Sequence, residues 1–217
     1  MKNIGKIIKL IKKECEKYEN PIVTELGNIT KNPFKVLISC LLSLRTKDQV
    51  TAKASKILFQ IADTPEKILK LENKEIEKLI YPVGFYKTKA ERIKEICGIL
   101  VKEYNSKVPQ DEKELLKLKG VGRKTMNIVM TYGFNSKNHI AVDTHVNRIS
   151  NRLGWVKNKK PEETEKHLLK IIPKEYYYDI NNIFVTFGQN VCVPISPFCS
   201  KCTINKLCPK INVKKQR

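Results

Sequence analysis

The segment Lys87–Tyr104 carries apolar residues at Ala90, Ile93, Ile96, Cys97, Leu100, Val101 and Tyr104. Spacings of three and four residues put these on one face of an α-helix. The same period recurs along the chain. Near the start, Ile4, Ile7, Ile8 and Ile11 form a stripe that Cys15 and Tyr18 extend. Asn32-Pro33 is a cap and first-turn signal, and Phe34–Leu44 behind it is apolar on nearly every side, as in a helix at the centre of a bundle. Helical patterns also cover Asp48–Gln60, a short stretch opened by Thr64-Pro65, Glu72–Ile80, Asp111–Leu118, Arg123–Phe134, Thr144–Leu153, Glu162–Ile172 and Tyr176–Val191. No alternating strand pattern, internal repeat or long linker interrupts them. The pattern predicts an all-α protein with short connections.

The chain has 217 residues, room for one large domain or two small ones, and 41% of it is apolar. Lys and Arg number 42 against 22 Asp and Glu, a net charge of +20. A solvated helix face explains one charge run but not an excess spread along the whole chain. The excess points to a polyanion, and nucleic acid is favoured over a membrane surface. No apolar run approaches the ~20 residues of a membrane span. The first segment is broken by Lys9, Lys12 and Lys13, so it is no secretory signal, and it has no Arg to make a transit peptide. An intracellular protein is expected.

Residues 118–125 read LKGVGRKT and join two predicted helices by about four residues. Glycine admits positive φ and close backbone approach, so a bend with Gly120, Val121 and Gly122 can turn N–H groups outward. The next helix begins there, and its positive end adds to an anion site suited to a phosphate. A P-loop is excluded because Arg123 separates Gly122 from Lys124. A dinucleotide fingerprint would need a third glycine where Thr125 stands. An ordinary tight turn is the alternative, and the net charge tips the reading toward phosphate.

Seven cysteines occur. Cys15, Cys40 and Cys97 lie on apolar helical faces and read as core. Cys192, Cys199, Cys202 and Cys208 crowd one end as C-x6-C-x2-C-x5-C between prolines. Disulfides fit poorly with a chain that lacks a secretory signal. Four thiolates at that spacing point to a metal site, and either tetrahedral zinc or a 4Fe-4S cluster suits them.

Together, these motifs resemble the endonuclease III family of DNA glycosylases. LKGVGRKTMNIV is similar to that family's helix-hairpin-helix, IAVDTHVNR to its Gly/Pro-Asp loop, and the cysteine tail to its iron–sulfur loop. LLSLRTKDQVTAKA and VGFYKTKAERI extend the likeness over essentially the whole chain. The resemblance implies a two-lobed helical protein. A six-helix domain would take residues 22–133, and an iron–sulfur domain residues 1–21 with 134–217. It implies a 4Fe-4S cluster on the four C-terminal cysteines, and a monomer working on damaged double-stranded DNA in the cytoplasm, at the nucleoid of a prokaryotic-like cell. It makes Lys124 the nucleophile and Asp143 its carboxylate partner. Lys119 stands where relatives often have Pro. Arg45 stands where many have Gln, and Phe85 where bacterial relatives often have Leu; these two would fill the space left by an extruded base.

The residues themselves suit that chemistry. Lys124 falls in the first turn of a helix, where the dipole and Arg123 disfavour an ammonium. Asp143 precedes the stripe Val146, Ile149 and Leu153, so it is an N-cap whether or not it does more. The implied activity is base excision repair by a bifunctional glycosylase and AP lyase acting on oxidised pyrimidines, through a lysine Schiff base and β-elimination. The alternatives are a mismatch-specific relative, whose monofunctional members lack lysine at the position of Lys124, and a DNA-binding hairpin module without catalysis. For Phe85, core packing is the competing expectation.

Overall fold

The structure, a computed structural model, describes residues 3–157 and 160–217. Every regular element among them is a helix: α1 (Ile4–Cys15), α2 (Ile22–Thr30), α3 (Pro33–Ser43), α4 (Asp48–Ile61), α5 (Pro65–Leu69), α6 (Asn73–Ile80), α7 (Tyr86–Glu103), α8 (Glu112–Lys117), α9 (Arg123–Ile128), α10 (Thr144–Arg152), α11 (Pro161–Ile171) and α12 (Tyr177–Asn190). None of them is long and apolar enough to cross a membrane. The chain divides into two compact units, one of Ile22–Ser136 and one of Met1–Pro21 with Lys137–Arg217.

In the first unit α3 is the central helix. The Asn32 side chain accepts from the Lys35 N–H at 3.1 Å, and Pro33 fills the first turn. Such a cap is worth about 1 kcal/mol. Phe34, Val36, Leu37, Ile38, Leu41 and Leu42 are buried, each contributing about 1.5–3 kcal/mol by leaving water. The Ser39 hydroxyl donates to Ser55 at 3.1 Å, which satisfies both inside the core. Helices α2, α4, α7 and α9 pack around α3.

Two features depart from the sequence expectation. The sequence pattern does not mark helix α2, because IVTELGNIT mixes β-branched residues with glycine and has weak helical propensity. Packing supplies what propensity lacks: a Cβ on Gly27 would stand 2.6 Å from the Cβ of Tyr132. The stretch expected as one helix from Arg123 to Phe134 is α-helical only to Ile128, and Val129–Gly133 continues as a π-helix. A Cβ on Gly133 would stand 2.9 Å from the Cα of Pro33, so the widened turn coincides with a close backbone approach to α3.

In the second unit α1 and α10 pack on α12, and α11 packs on α10. Ile8, Ile11, Val146, Ile149, Leu168, Ile180, Phe184 and Phe187 form its core. Trp155 lies against Phe184 with ring centroids 5.8 Å apart. The Cys15 thiol donates to the Ile183 carbonyl at 3.2 Å. Beyond α12 the chain runs as a loop that carries the four C-terminal cysteines.

Candidate functional site

The hairpin is built on α8 and α9. Asp111 caps α8 by accepting from the N–H groups of Lys113 and Glu114 at 2.8 and 3.0 Å. Leu115, Leu118, Val121 and Met126 are buried beneath the bend. The two glycines do different work. Gly120 has φ 85°, where any side chain is strained, and a Cβ there would meet Arg92 Cδ at 2.6 Å. Gly122 is extended, at φ −94°, and a Cβ on it would meet nothing within 4 Å. Positive φ is therefore needed at Gly120, whereas the extended Gly122 leaves open space beside the bend. Val121 is turned inward, with its N–H donating to the Leu118 carbonyl at 2.9 Å. Gly120 and Gly122 are exposed.

Lys124 is the second residue of α9, exposed, with Gly122 as the N-cap. Its charge reaches the buried end of α3. Burial pushes the Cys40 thiol up to about 12, and the Lys124 ammonium opposes that shift. Lys119 in the bend pairs with Glu95 at 3.2 Å, an exposed ion pair of little energetic weight.

Arg45 and Phe85 come together in the same unit. Arg45 leaves the end of α3 at φ 53°, and Phe85 precedes α7 at φ 57°. The Arg45 guanidinium lies 5.7 Å from the centre of the Phe85 ring. Phe85 is 64% exposed, which rules out the core reading.

Asp143 belongs to the second unit, where it caps α10 by accepting from the Val146 N–H at 2.8 Å. Helix α10 also holds the cysteine loop. Arg148 donates to the carbonyls of Gly188 and Cys192 at 3.1 and 3.0 Å. Arg152 donates to the carbonyls of Val193 and Pro194 at 2.8 and 2.7 Å and to Cys192 Sγ at 3.2 Å. Burial lowers the Arg148 pKa, and the charges of Cys192 and Asp143 pull the other way.

Cys192, Cys199, Cys202 and Cys208 line one cavity, walled by Phe187, Val191, Phe198 and Ile204. No three His, Cys, Asp or Glu side chains among the described residues converge on the position of a single metal ion. Burial pushes Cys202 up to about 11, and the other three cysteines add to the shift. Cys199 and Cys208 are raised by burial and by their cysteine neighbours too. Thiolates at Cys199, Cys202 and Cys208 are thus unfavourable there without a cationic group beside them. The Lys210 N–H, which donates to Cys208 Sγ at 3.4 Å, and Arg152 are suited to sulfur bearing negative charge. The donor set fits an iron–sulfur cluster.

No sequence motif gives Lys89, Arg92, Arg148 or Arg152 a role. A signal existed for Lys89: it falls four residues before Ile93 and seven before Ile96, on the apolar stripe, and is buried. Arg148 and Arg152 share a face of α10 by their spacing of four, which reads equally well as a solvated stripe.

Residues 38–174 match the HhH-GPD superfamily of base excision DNA repair proteins. The chain belongs to this superfamily. It is 51% identical to Endonuclease III of Thermotoga maritima over 177 residues, covering 82% of this chain and 83% of that protein. It is 42% identical to Endonuclease III-like protein 1 of Gallus gallus over 81% of this chain and 63% of that protein. Among solved structures, it is similar to a trapped covalent intermediate of endonuclease III with DNA in an estranged-adenine complex, with TM-score 0.77 and 40% identity over 82% of this chain and 84% of that one. A thermostable thymine-DNA glycosylase is similar at 27% identity, with TM-score 0.77 over 94% of this chain and 97% of that one. The HhH-GPD match takes in Arg45, Phe85, the hairpin, Lys124 and Asp143, whereas the four cysteines lie beyond it.

Proposed function

We propose that this HhH-GPD protein is a bifunctional DNA glycosylase and AP lyase that removes oxidised pyrimidines from double-stranded DNA in base excision repair. The observation that carries the reading is the exposed amine of Lys124 in the first turn of α9, directly behind a hairpin whose Gly122 faces open space. The exposed glycines take a backbone phosphate, with the positive end of α9 behind them. That places the sugar of the neighbouring nucleotide within reach of Lys124.

The chemistry then follows from the amine. Neutral Lys124 Nζ attacks C1′ of the extruded nucleoside, the C1′–N bond to the base breaks, and the base leaves. Loss of a proton from Nζ and opening of the sugar ring give a Schiff base. Removal of a C2′ proton expels the 3′ phosphate and cuts the strand. Asp143 supports deprotonation of Lys124 and the positive charge that develops on the sugar. Arg45 and Phe85 occupy the space that the base vacates.

Cys192, Cys199, Cys202 and Cys208 hold a 4Fe-4S cluster, which when bound cross-links the loop and balances its thiolates. The two domains of the sequence expectation, a six-helix domain and a cluster domain, remain the proposed division of labour. The protein works as a monomer in the compartment that holds the DNA, the cytoplasm of a prokaryotic-like cell.

Borohydride reduction on a lesion-containing duplex, followed by peptide mapping, tests the assignment. The adduct should map to Lys124, and mapping to another lysine would overturn it. The likeness to a thymine-DNA glycosylase supports a second reading, a mismatch-specific enzyme. A monofunctional enzyme of that kind would give no trapped adduct.

A further inference from the structure

Arg45 and Phe85 are bulky residues held in the left-handed region of backbone space, at φ 53° and 57°. That conformation is costly for either side chain and persists only where the surroundings over-determine it. Those surroundings centre on Lys89, 6% exposed in the first turn of α7. Its ammonium donates to the carbonyls of Leu42 and Leu44 at 2.8 and 2.6 Å and to the Thr46 hydroxyl at 3.2 Å. The same hydroxyl accepts from the Gly84 N–H at 3.2 Å. A Cβ on Gly84 would stand 2.8 Å from the Arg45 carbonyl oxygen, so the loops before and after Lys89's reach meet backbone to backbone.

A buried cation is an expensive way to fill a stripe position. Burial pushes Lys89 down to about 8, and Arg92, one turn further along α7, pushes the same way. An apolar residue would pack against Ile93 without that cost. What it lacks is three donors, two aimed at carbonyls that the end of α3 leaves open and one at the Thr46 hydroxyl.

We propose that Lys89 is a positioning residue that clamps the Arg45 loop to the Phe85 loop, so that the two exposed side chains enter a duplex as one rigid wedge. The proposal rests on the reading of Arg45 and Phe85 as the pair that fills the vacated space. A clamp of this kind matters most while a base is being extruded. At a preformed abasic site no base remains to expel, so the two substrates separate positioning from overall stability.

Lys89→Met keeps the length of the side chain and removes its donors. Hydrogen exchange at the Thr46 and Gly84 amides should quicken by about tenfold or more, with the amides of α12 unchanged. Single-turnover excision from a lesion duplex should slow by about tenfold, and strand cleavage at a preformed abasic site by less than about threefold. Thr46→Val, which removes the shared hydroxyl and with it the acceptor of the Gly84 N–H, should slow excision more weakly with the same contrast between the two substrates, and serves if Lys89→Met does not fold. Equal loss on both substrates would make Lys89 a mere stabiliser, and unchanged exchange at Thr46 and Gly84 would mean that it clamps nothing. Either result overturns the proposal. Arg45→Ala and Phe85→Ala judge the wedge separately: full excision in both would sink that reading, while the exchange rates still judge the clamp.

Discussion

Gly120→Ala and Gly122→Ala should separate folding from DNA binding, because the two glycines are held for different reasons. At Gly120 the φ of 85° charges an alanine about 1–2 kcal/mol, and Arg92 must move from a contact of 2.6 Å. A chain of this size loses roughly 2–4 °C of Tm per kcal/mol, so Gly120→Ala should unfold several degrees early. At Gly122 an alanine keeps the extended backbone and meets nothing within 4 Å. Replacing an N-cap glycine by alanine costs about 0.5–1 kcal/mol, and the narrower unfolded ensemble returns about 0.4–1 kcal/mol. The two nearly cancel, so Tm should shift by less than about 2 °C.

Binding should respond in the opposite order. If a phosphate occupies the space beside Gly122, a methyl group there displaces it from the N–H groups of the hairpin. Each charge-assisted hydrogen bond lost is worth about 1.5–3 kcal/mol, a ten- to hundredfold weakening. The loss should be equal for damaged and undamaged duplexes, because phosphate contacts carry no sequence information. The slope of log affinity against log salt should fall by about 0.9, the signature of one phosphate. Titration of fluorescent duplexes across a salt series, beside thermal melts of both variants, measures all of this. A stable Gly122→Ala protein that binds DNA like the wild type would refute the reasoning, as would one that loses lesion preference while keeping general affinity.

Lys124→Gln should keep fold and DNA binding but lose strand cleavage by about a thousandfold or more, measured in single-turnover nicking assays. Asp143→Asn keeps a residue that caps equally well, so its Tm should hold while turnover on lesion duplexes slows. Cys202→Ser should retain less iron and unfold about 5–10 °C early, as for the loss of a loop cross-link; metal analysis that finds zinc and no iron in the wild type would contradict the cluster. Phe85→Ala should alter stability by less than about 0.5 kcal/mol, because the side chain is exposed, yet slow lesion excision. Burial raises the thiols of Cys15, Cys40 and Cys97 to about 12. Unfolded thiols ionise near 9, so this stabilisation is complete below that pH and declines above it by about 1.4 kcal/mol per thiol per pH unit. Cys40→Ala should therefore show a shallower loss of stability between pH 9 and 11 in denaturant titrations.

What the sequence made legible was local. Asn32, Thr64, Asp111 and Asp143 each cap a helix through a short side chain that reaches an N–H two or three residues on. Such a bond needs no distant partner, so residue type and position suffice to anticipate it. The hairpin is local in the same sense, since two glycines and the following amine fall within five residues of one another. Helix α2 and the π-helix were hidden because they depend on Gly27 meeting Tyr132 and Gly133 meeting Pro33, about a hundred residues apart in the chain. No window along the sequence contains both partners.

Lys89 shows a subtler limit. Its position on the stripe was visible, but its partners are mostly main-chain carbonyls, and every residue carries one. Nothing in the identities of Leu42 and Leu44 announces that their oxygens await a donor. Phe85 is the converse case. An aromatic residue suggests a core, but Phe85 precedes α7 at positive φ and its side chain stands exposed. Backbone conformation, rather than side-chain chemistry, decides which of the two is buried: the lysine goes in because carbonyls face it, and the phenylalanine stays out because its loop is pinned. The apolar residue left in water is the one suited to stacking between bases.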